Sequence, residues 1–157
     1  LKMTRLQKYS GLAGWITVCF LAASFGAYFE PGLWYESLNK PSWTPPNWVF
    51  PVVWPILYLM MAIAAWMVWT RYSFKQAQQE LRWFGVQLLL NAAWSWIFFG
   101  EQLIGTALGE ILLLWIAILF TLLLFWKKYK PAGWLLLPYL LWVSYASALN
   151  YALFQLN

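Results

Sequence analysis

The chain contains no histidine, one cysteine and 5 acidic residues among 157. Without histidine there is no Ser-His-Asp or Cys-His catalysis, no imidazole zinc site and no His-ligated haem. The lone Cys19 cannot form an intrachain disulfide, and within an apolar run it reads as a packing residue. No glycine-rich phosphate loop occurs. Charge is scarce throughout: 10% of residues are charged, against roughly 25% in soluble domains. These absences exclude conventional hydrolytic or metal-dependent chemistry.

Apolar side chains take up the space: 63% of residues are hydrophobic and 22% aromatic. A spanning helix needs about 20 mostly apolar residues. Five runs qualify, at 11–29, 51–70, 83–100, 104–126 and 132–156, and Glu110 is the only formal charge among them. They fill most of the chain, which predicts an all-α integral membrane five-helix bundle, one domain over residues 1–157. Lys2, Arg5 and Lys8 before the first run imitate a signal peptide. The apolar run outlasts a signal core, so it is read as a retained helix.

The net charge of +5 follows the loops. Lys2, Arg5 and Lys8 precede the first run; Arg71, Lys75 and Arg82 separate the second and third; Lys127, Lys128 and Lys130 separate the fourth and fifth. Only Lys40 breaks this pattern, while Glu30, Glu36, Glu101 and Glu110 lie in or near the opposite loops. The positive-inside rule places the amino terminus in the cytoplasm, with the carboxyl terminus and the first loop outside.

That first loop, 30–50, and the residues after it read "WYESLNKPSWTPPNWVFPVVWPILY". Proline fixes φ and turns the residue before it away from helix, so "KPSWTPPNW" is expected to be stiff and non-helical. A stiff loop loses little entropy on closing, and its tryptophans and Tyr35 offer flat faces with a polar edge. It suits a lid over a planar apolar ligand.

The runs carry matching stripes. Trp54, Tyr58, Met61 and Ala65 share a face, and Pro55 is expected in the first turn of its helix. Gln87 and Asn91 stand one turn apart, continued by Trp94, Ser95 and Phe98. Asn91 serves either as an interhelical hydrogen bond or as the polar floor of a pocket. Trp142, Ala146, Leu149 and Asn150 form either a helix contact or a slot for a flat ligand. "GTALG" places Gly105 and Gly109 in a GxxxG pattern, a contact within the chain or between two copies. Glu110 is expected to snorkel toward the outer interface, or else to act as a proton-coupled carboxylate.

The stretches "WYESLNKPSWTPPNWVFPVVW", "NAAWSWIFFG" and "LLLPYLLWVSYASALN" resemble the TspO/MBR family, the tryptophan-rich sensory proteins related to the mitochondrial translocator protein. The resemblance covers nearly the whole chain. It implies a five-helix bundle, commonly dimeric, with a pocket beneath the first loop. It implies binding of porphyrins and related tetrapyrroles, of isoquinoline or benzodiazepine-type drugs, and in some members of sterols. By motif, that pocket takes Tyr35, Pro45 and Pro46 from the lid, Trp54, Tyr58, Asn91, Trp94 and Ser95 from the next helices, and Trp142, Ala146 and Leu149 from the last.

Two departures refine this expectation. After Tyr151 the chain ends "ALFQLN" without the basic residue of the animal sterol consensus, and the match through Val68, Tyr72 and Lys75 is a loose pattern. Without histidine, haem iron would have to take a thioether such as Met60, Met61 or Met67, which favours metal-free protoporphyrin IX over haem. The expected function is tetrapyrrole sensing, regulation or transport in a bacterial cell membrane. Light-dependent porphyrin breakdown at Trp54 and Trp142 and sterol transport are the alternatives. No required cofactor and no nucleic acid are expected; porphyrin, membrane lipid and a second copy are the expected partners.

Overall fold

The computed structural model describes residues 2–29 and 31–157. It contains α1 (Arg5–Tyr28), α2 (Leu33–Ser37), α3 (Val49–Gln76), α4 (Gln78–Ser95), α5 (Ile104–Lys128) and α6 (Lys130–Leu156), with a π-helical turn, Trp96–Gly100, closing α4. Among the described residues there is no strand. Glu30, counted above with the acidic loops, lies outside the described residues.

Four of these helices, α1, α3, α5 and α6, are long and apolar enough to cross a membrane, one fewer than the five expected. The helix that falls short is α4. It starts five residues before the expected run, so Gln78, Gln79, Glu80 and Arg82 belong to it and dilute its apolar character.

Local chemistry explains the boundaries. At α1 the Thr4 hydroxyl accepts from the Gln7 N–H at 3.1 Å, and the Gln7 side chain accepts from the Thr4 N–H at 2.8 Å. This capping box satisfies two otherwise orphaned donors. Helix α3 begins at Val49 rather than 51, so Pro55 falls beyond the first turn and removes the bond to the Pro51 carbonyl. The same helix kinks at Ser73, whose φ of 61° lies in the left-handed region. Only Tyr129, in an extended conformation, separates α5 from α6. The first loop is not wholly irregular, because Leu33–Ser37 form a helical turn. That stretch is free of proline, which resumes at Pro41.

The core lies between α3, α4, α5 and α6. Met61, Ala62, Ala65 and Val68 pack with Leu114, Ile118, Tyr139 and Val143, and the alanines allow close helix approach. Helix α1 joins through Gly11, where a Cβ would collide with the Trp69 ring.

Polar side chains in this core close on each other. The Tyr139 hydroxyl donates to the Gln87 amide oxygen at 2.7 Å, and the Asn91 amide donates to the Tyr139 hydroxyl at 2.7 Å. All three are buried. Where water is excluded, such groups must bond internally.

The two ends of the bundle differ. At one end the Trp66 indole donates to the Lys8 carbonyl, the Tyr72 hydroxyl to the Lys128 carbonyl, and the Lys128 ammonium sits 3.7 Å from buried Glu80. These contacts gather the three basic segments together. The other end carries α2 and the proline-rich strap.

Candidate functional site

The site is assembled where α2 and the strap cover α3, α4 and α6. Tyr35 on α2 is 1% exposed, and its ring meets Phe98 and Phe99 at 6.3 and 5.6 Å between centroids. The π-helical turn makes this double contact possible. There the Glu101 N–H reaches back five residues to the Trp96 carbonyl at 2.8 Å, one residue more than in an α-turn. The extra residue brings Phe98 and Phe99 together against Trp94, at 5.0 and 5.7 Å.

Trp94 is held from below. Its indole donates to the Asn150 side-chain oxygen at 3.0 Å, and the Asn150 amide donates to the Ile104 carbonyl at 3.0 Å. The opposite wall is α6, with Trp142, Tyr145, Ala146 and Leu149. The Tyr145 hydroxyl donates to the Trp43 carbonyl at 2.6 Å, pinning the strap to that wall. Phe50 and Pro45 complete the enclosure.

The enclosed space is small, about 20 Å³. That holds roughly one water, whereas ligand sites are typically about 300–1,000 Å³. The cavity is therefore closed as it stands, and a larger ligand requires its cover of α2 and strap to open.

Two polar groups in this apolar wall are buried without partners: the Tyr35 hydroxyl and the Trp142 indole N–H. Burial, and to a lesser degree Tyr145 nearby, raises the Tyr35 phenol above its ordinary pKa, so it stays protonated and able to donate. The cavity thus offers flat aromatic faces and two donors.

Of the residues named from the sequence, Tyr35, Pro45, Trp94, Trp142, Ala146 and Leu149 line this cavity. Trp54 stands behind Trp142, edge to face at 6.3 Å, and Tyr58 lies deeper, 5.8 Å from Trp54. Pro46 is exposed on the strap. Ser95 faces α1, where a Cβ on Gly26 would approach its hydroxyl at 3.3 Å. Asn91 is tied to Tyr139 in the core and is not on the cavity wall.

Asn150 and Phe98, singled out on the helical stripes, also line the cavity, as do Phe50, Phe99, Tyr145 and Leu153, which were not named as pocket residues. The spacing of Trp142, Ala146, Leu149 and Leu153 reveals the last of these. Phe99 is hidden by the π-turn, which breaks the periodicity.

Other candidates are also placed. A Cβ on Gly105 would touch Phe154 of the same chain at 3.0 Å, whereas one on Gly109 would meet nothing. The Glu110 carboxylate does not snorkel outward; both oxygens are buried, with no hydrogen-bond partner. Met61 lies in the core, 3.9 Å from the Gln87 amide, and neither Met60 nor Met67 lines the cavity.

The TspO/MBR family model matches residues 15–156. Tryptophan-rich protein TspO of Chlorobaculum tepidum is 45% identical over 150 residues, covering 93% of this chain and 95% of that protein. Protein CrtK of Rhodobacter capsulatus is 40% identical over 150 residues, covering 92% and 91% of the two chains. The translocator protein of Homo sapiens is 37% identical over 141 residues, covering 88% and 83%. With its apolar helices and a match of this extent, the chain is a membrane protein that belongs to the TspO/MBR family.

Proposed function

We propose that this protein is a membrane receptor for porphyrins and related planar tetrapyrroles, serving their sensing, regulation or transport. The observation that carries the reading is the pair of unpartnered donors, Tyr35 and Trp142, in an otherwise aromatic and aliphatic wall. A flat, apolar molecule bearing acceptor atoms satisfies both features. Ring stacking supplies contact area, and the donors supply orientation. Metal-free protoporphyrin IX is preferred over haem, because no histidine exists and no methionine reaches the cavity.

The proposal includes five crossings in a bacterial cell membrane, with α4 and its π-turn forming the third. Together they run about 34 Å, against a hydrocarbon core of about 30 Å. Nine of the ten basic residues then fall on the cytoplasmic side and the strap lies outside. A homodimer is part of the same reading.

A second reading is light-dependent porphyrin breakdown. It is favoured by the contact of Trp142 on the cavity wall with Trp54 and with Tyr145, at 6.3 and 5.6 Å. Tryptophan-fluorescence titration of the protein in lipid nanodiscs with protoporphyrin IX, haem and cholesterol tests the receptor reading. Saturable quenching is expected with protoporphyrin IX first. Absence of saturation with either tetrapyrrole overturns it, and parallel dark and illuminated product analysis decides the second.

A further inference from the structure

Beside the closed cavity lies a second, roomier space. A groove of about 440 Å³ opens at the same end of the bundle, between α2, the start of α5 and the last turn of α6. Trp34 on α2 and Leu38, the extended residue that ends it, line the groove, while Tyr35 between them lines the cavity. The end of α6 is divided in the same way, with Leu153 on the cavity and Phe154 and Asn157 on the groove. A single helical turn therefore partitions the two spaces.

That turn is fastened by a reciprocal amide clamp. The Asn39 N–H donates to the Asn157 side-chain oxygen at 2.9 Å, and the Asn157 amide donates back to the Asn39 carbonyl at 2.9 Å. The Asn39 amide also donates to the Leu156 carbonyl at 3.3 Å. All three bonds are exposed, so water replaces them at little cost. The other fastening differs: Tyr145 to Trp43 is backed by ring contact at 5.8 Å and by Pro41, Pro45 and Pro46 around it.

We infer that ligands reach the cavity sideways through the groove, and that α2 is the gate, latched by the Asn39–Asn157 clamp. Releasing the clamp lets α2 swing from Phe98 and joins the two spaces into one site of ligand size. The groove walls fit this role. Leu103, Ile104 and Phe154 present apolar surface to a molecule dissolved in lipid, while Gln102, Thr106 and Asn157 present polar groups to its acceptors. The inference rests on the ligand-binding reading above.

The test uses the full chain in lipid nanodiscs, with protoporphyrin IX as probe and stopped-flow tryptophan quenching as readout. The clamp closes the free state and is released when the two spaces join around ligand, so Asn157→Ala raises the association rate by about tenfold and lowers Kd by a similar factor. Asn39→Ala repeats the effect more weakly, since the Asn39 backbone bonds remain. Thr106→Phe, which fills the groove without touching the cavity wall, slows both rates. Hydrogen exchange at the Glu36 and Leu38 amides, read without ligand, rises in Asn157→Ala. Unchanged rates in both Asn157→Ala and Thr106→Phe overturn the route, and unchanged exchange overturns the latch. If wild type shows no quenching, the ligand reading fails, and the exchange measurement still decides the latch.

Discussion

Trp54 and Trp142 meet edge to face with planes at 89°, yet only Trp142 lines the cavity. The indole N–H of Trp142 is buried and unpartnered, which leaves it free for a ligand acceptor. Trp142→Phe keeps an aromatic wall and removes that donor. Protoporphyrin binding is expected to weaken by about 0.5–1.5 kcal/mol, measured by fluorescence titration. Trp54→Phe should change affinity less, because Trp54 acts by supporting Trp142. Any light-driven porphyrin modification should fall more than binding does in Trp142→Phe; equal, small losses in both assays leave the photochemical reading without a candidate residue.

The Gln87–Tyr139–Asn91 network stabilises the bundle. Tyr139→Phe strands two buried amides and is expected to cost about 1–3 kcal/mol, read as a lower Tm in detergent. Asn91→Leu should lower Tm similarly and leave protoporphyrin affinity unchanged. Loss of affinity at unchanged Tm would instead place Asn91 in contact with ligand.

Gly105 and Gly109 separate an internal contact from an external one. Gly105→Leu presses on the exposed ring of Phe154, which can turn aside into the groove, and should change monomer stability by less than about 1 kcal/mol. Gly109→Leu meets open space, so monomer stability should be unchanged while self-association weakens if α5 forms the dimer face. Cross-linking in nanodiscs beside a thermal melt reads both; an undiminished dimer in Gly109→Leu moves the interface elsewhere.

Tyr35 makes closure pH-dependent at the alkaline end. Its folded pKa is raised, so its contribution is complete below the unfolded value of about 10 and is lost as pH rises through the folded value. Hydrogen exchange of α2, divided by the base-catalysed intrinsic rate of an open amide, should be flat through neutral pH and rise only in strong alkali. Tyr35→Phe should flatten that alkaline rise, and an unaltered rise would assign it to another group.

Topology is tested by reporter fusions. A carboxyl-terminal reporter active only outside the cytoplasm should give signal, while one active only inside should be silent. The reverse pattern would place the strap in the cytoplasm.

Much of this molecule is legible in one dimension. Apolar runs and basic loops locate the helices, because lipid demands continuous apolar surface and internally paired backbone. Helical spacing alone places Trp142, Ala146 and Leu149 on one wall, since residues three and four apart share a face. The same rule groups Asn91 with Trp94, but a stripe does not say which neighbour it meets. Tyr139, 48 residues away, takes the Asn91 amide and leaves Trp94 to the cavity.

The remaining decisions are tertiary. The π-turn shifts Phe98 and Phe99 together beneath Tyr35, and no periodicity announces it, because the extra residue is a local departure from the repeat. The clamp joins Asn39 to Asn157 across 118 residues, and only folding makes them neighbours. Composition and spacing determined that the chain forms apolar helices bearing aromatic stripes and a stiff strap, because those properties are local. Which stripes meet, how small the closed cavity is and where it opens were decided by packing, because volume and unpartnered donors exist only between elements.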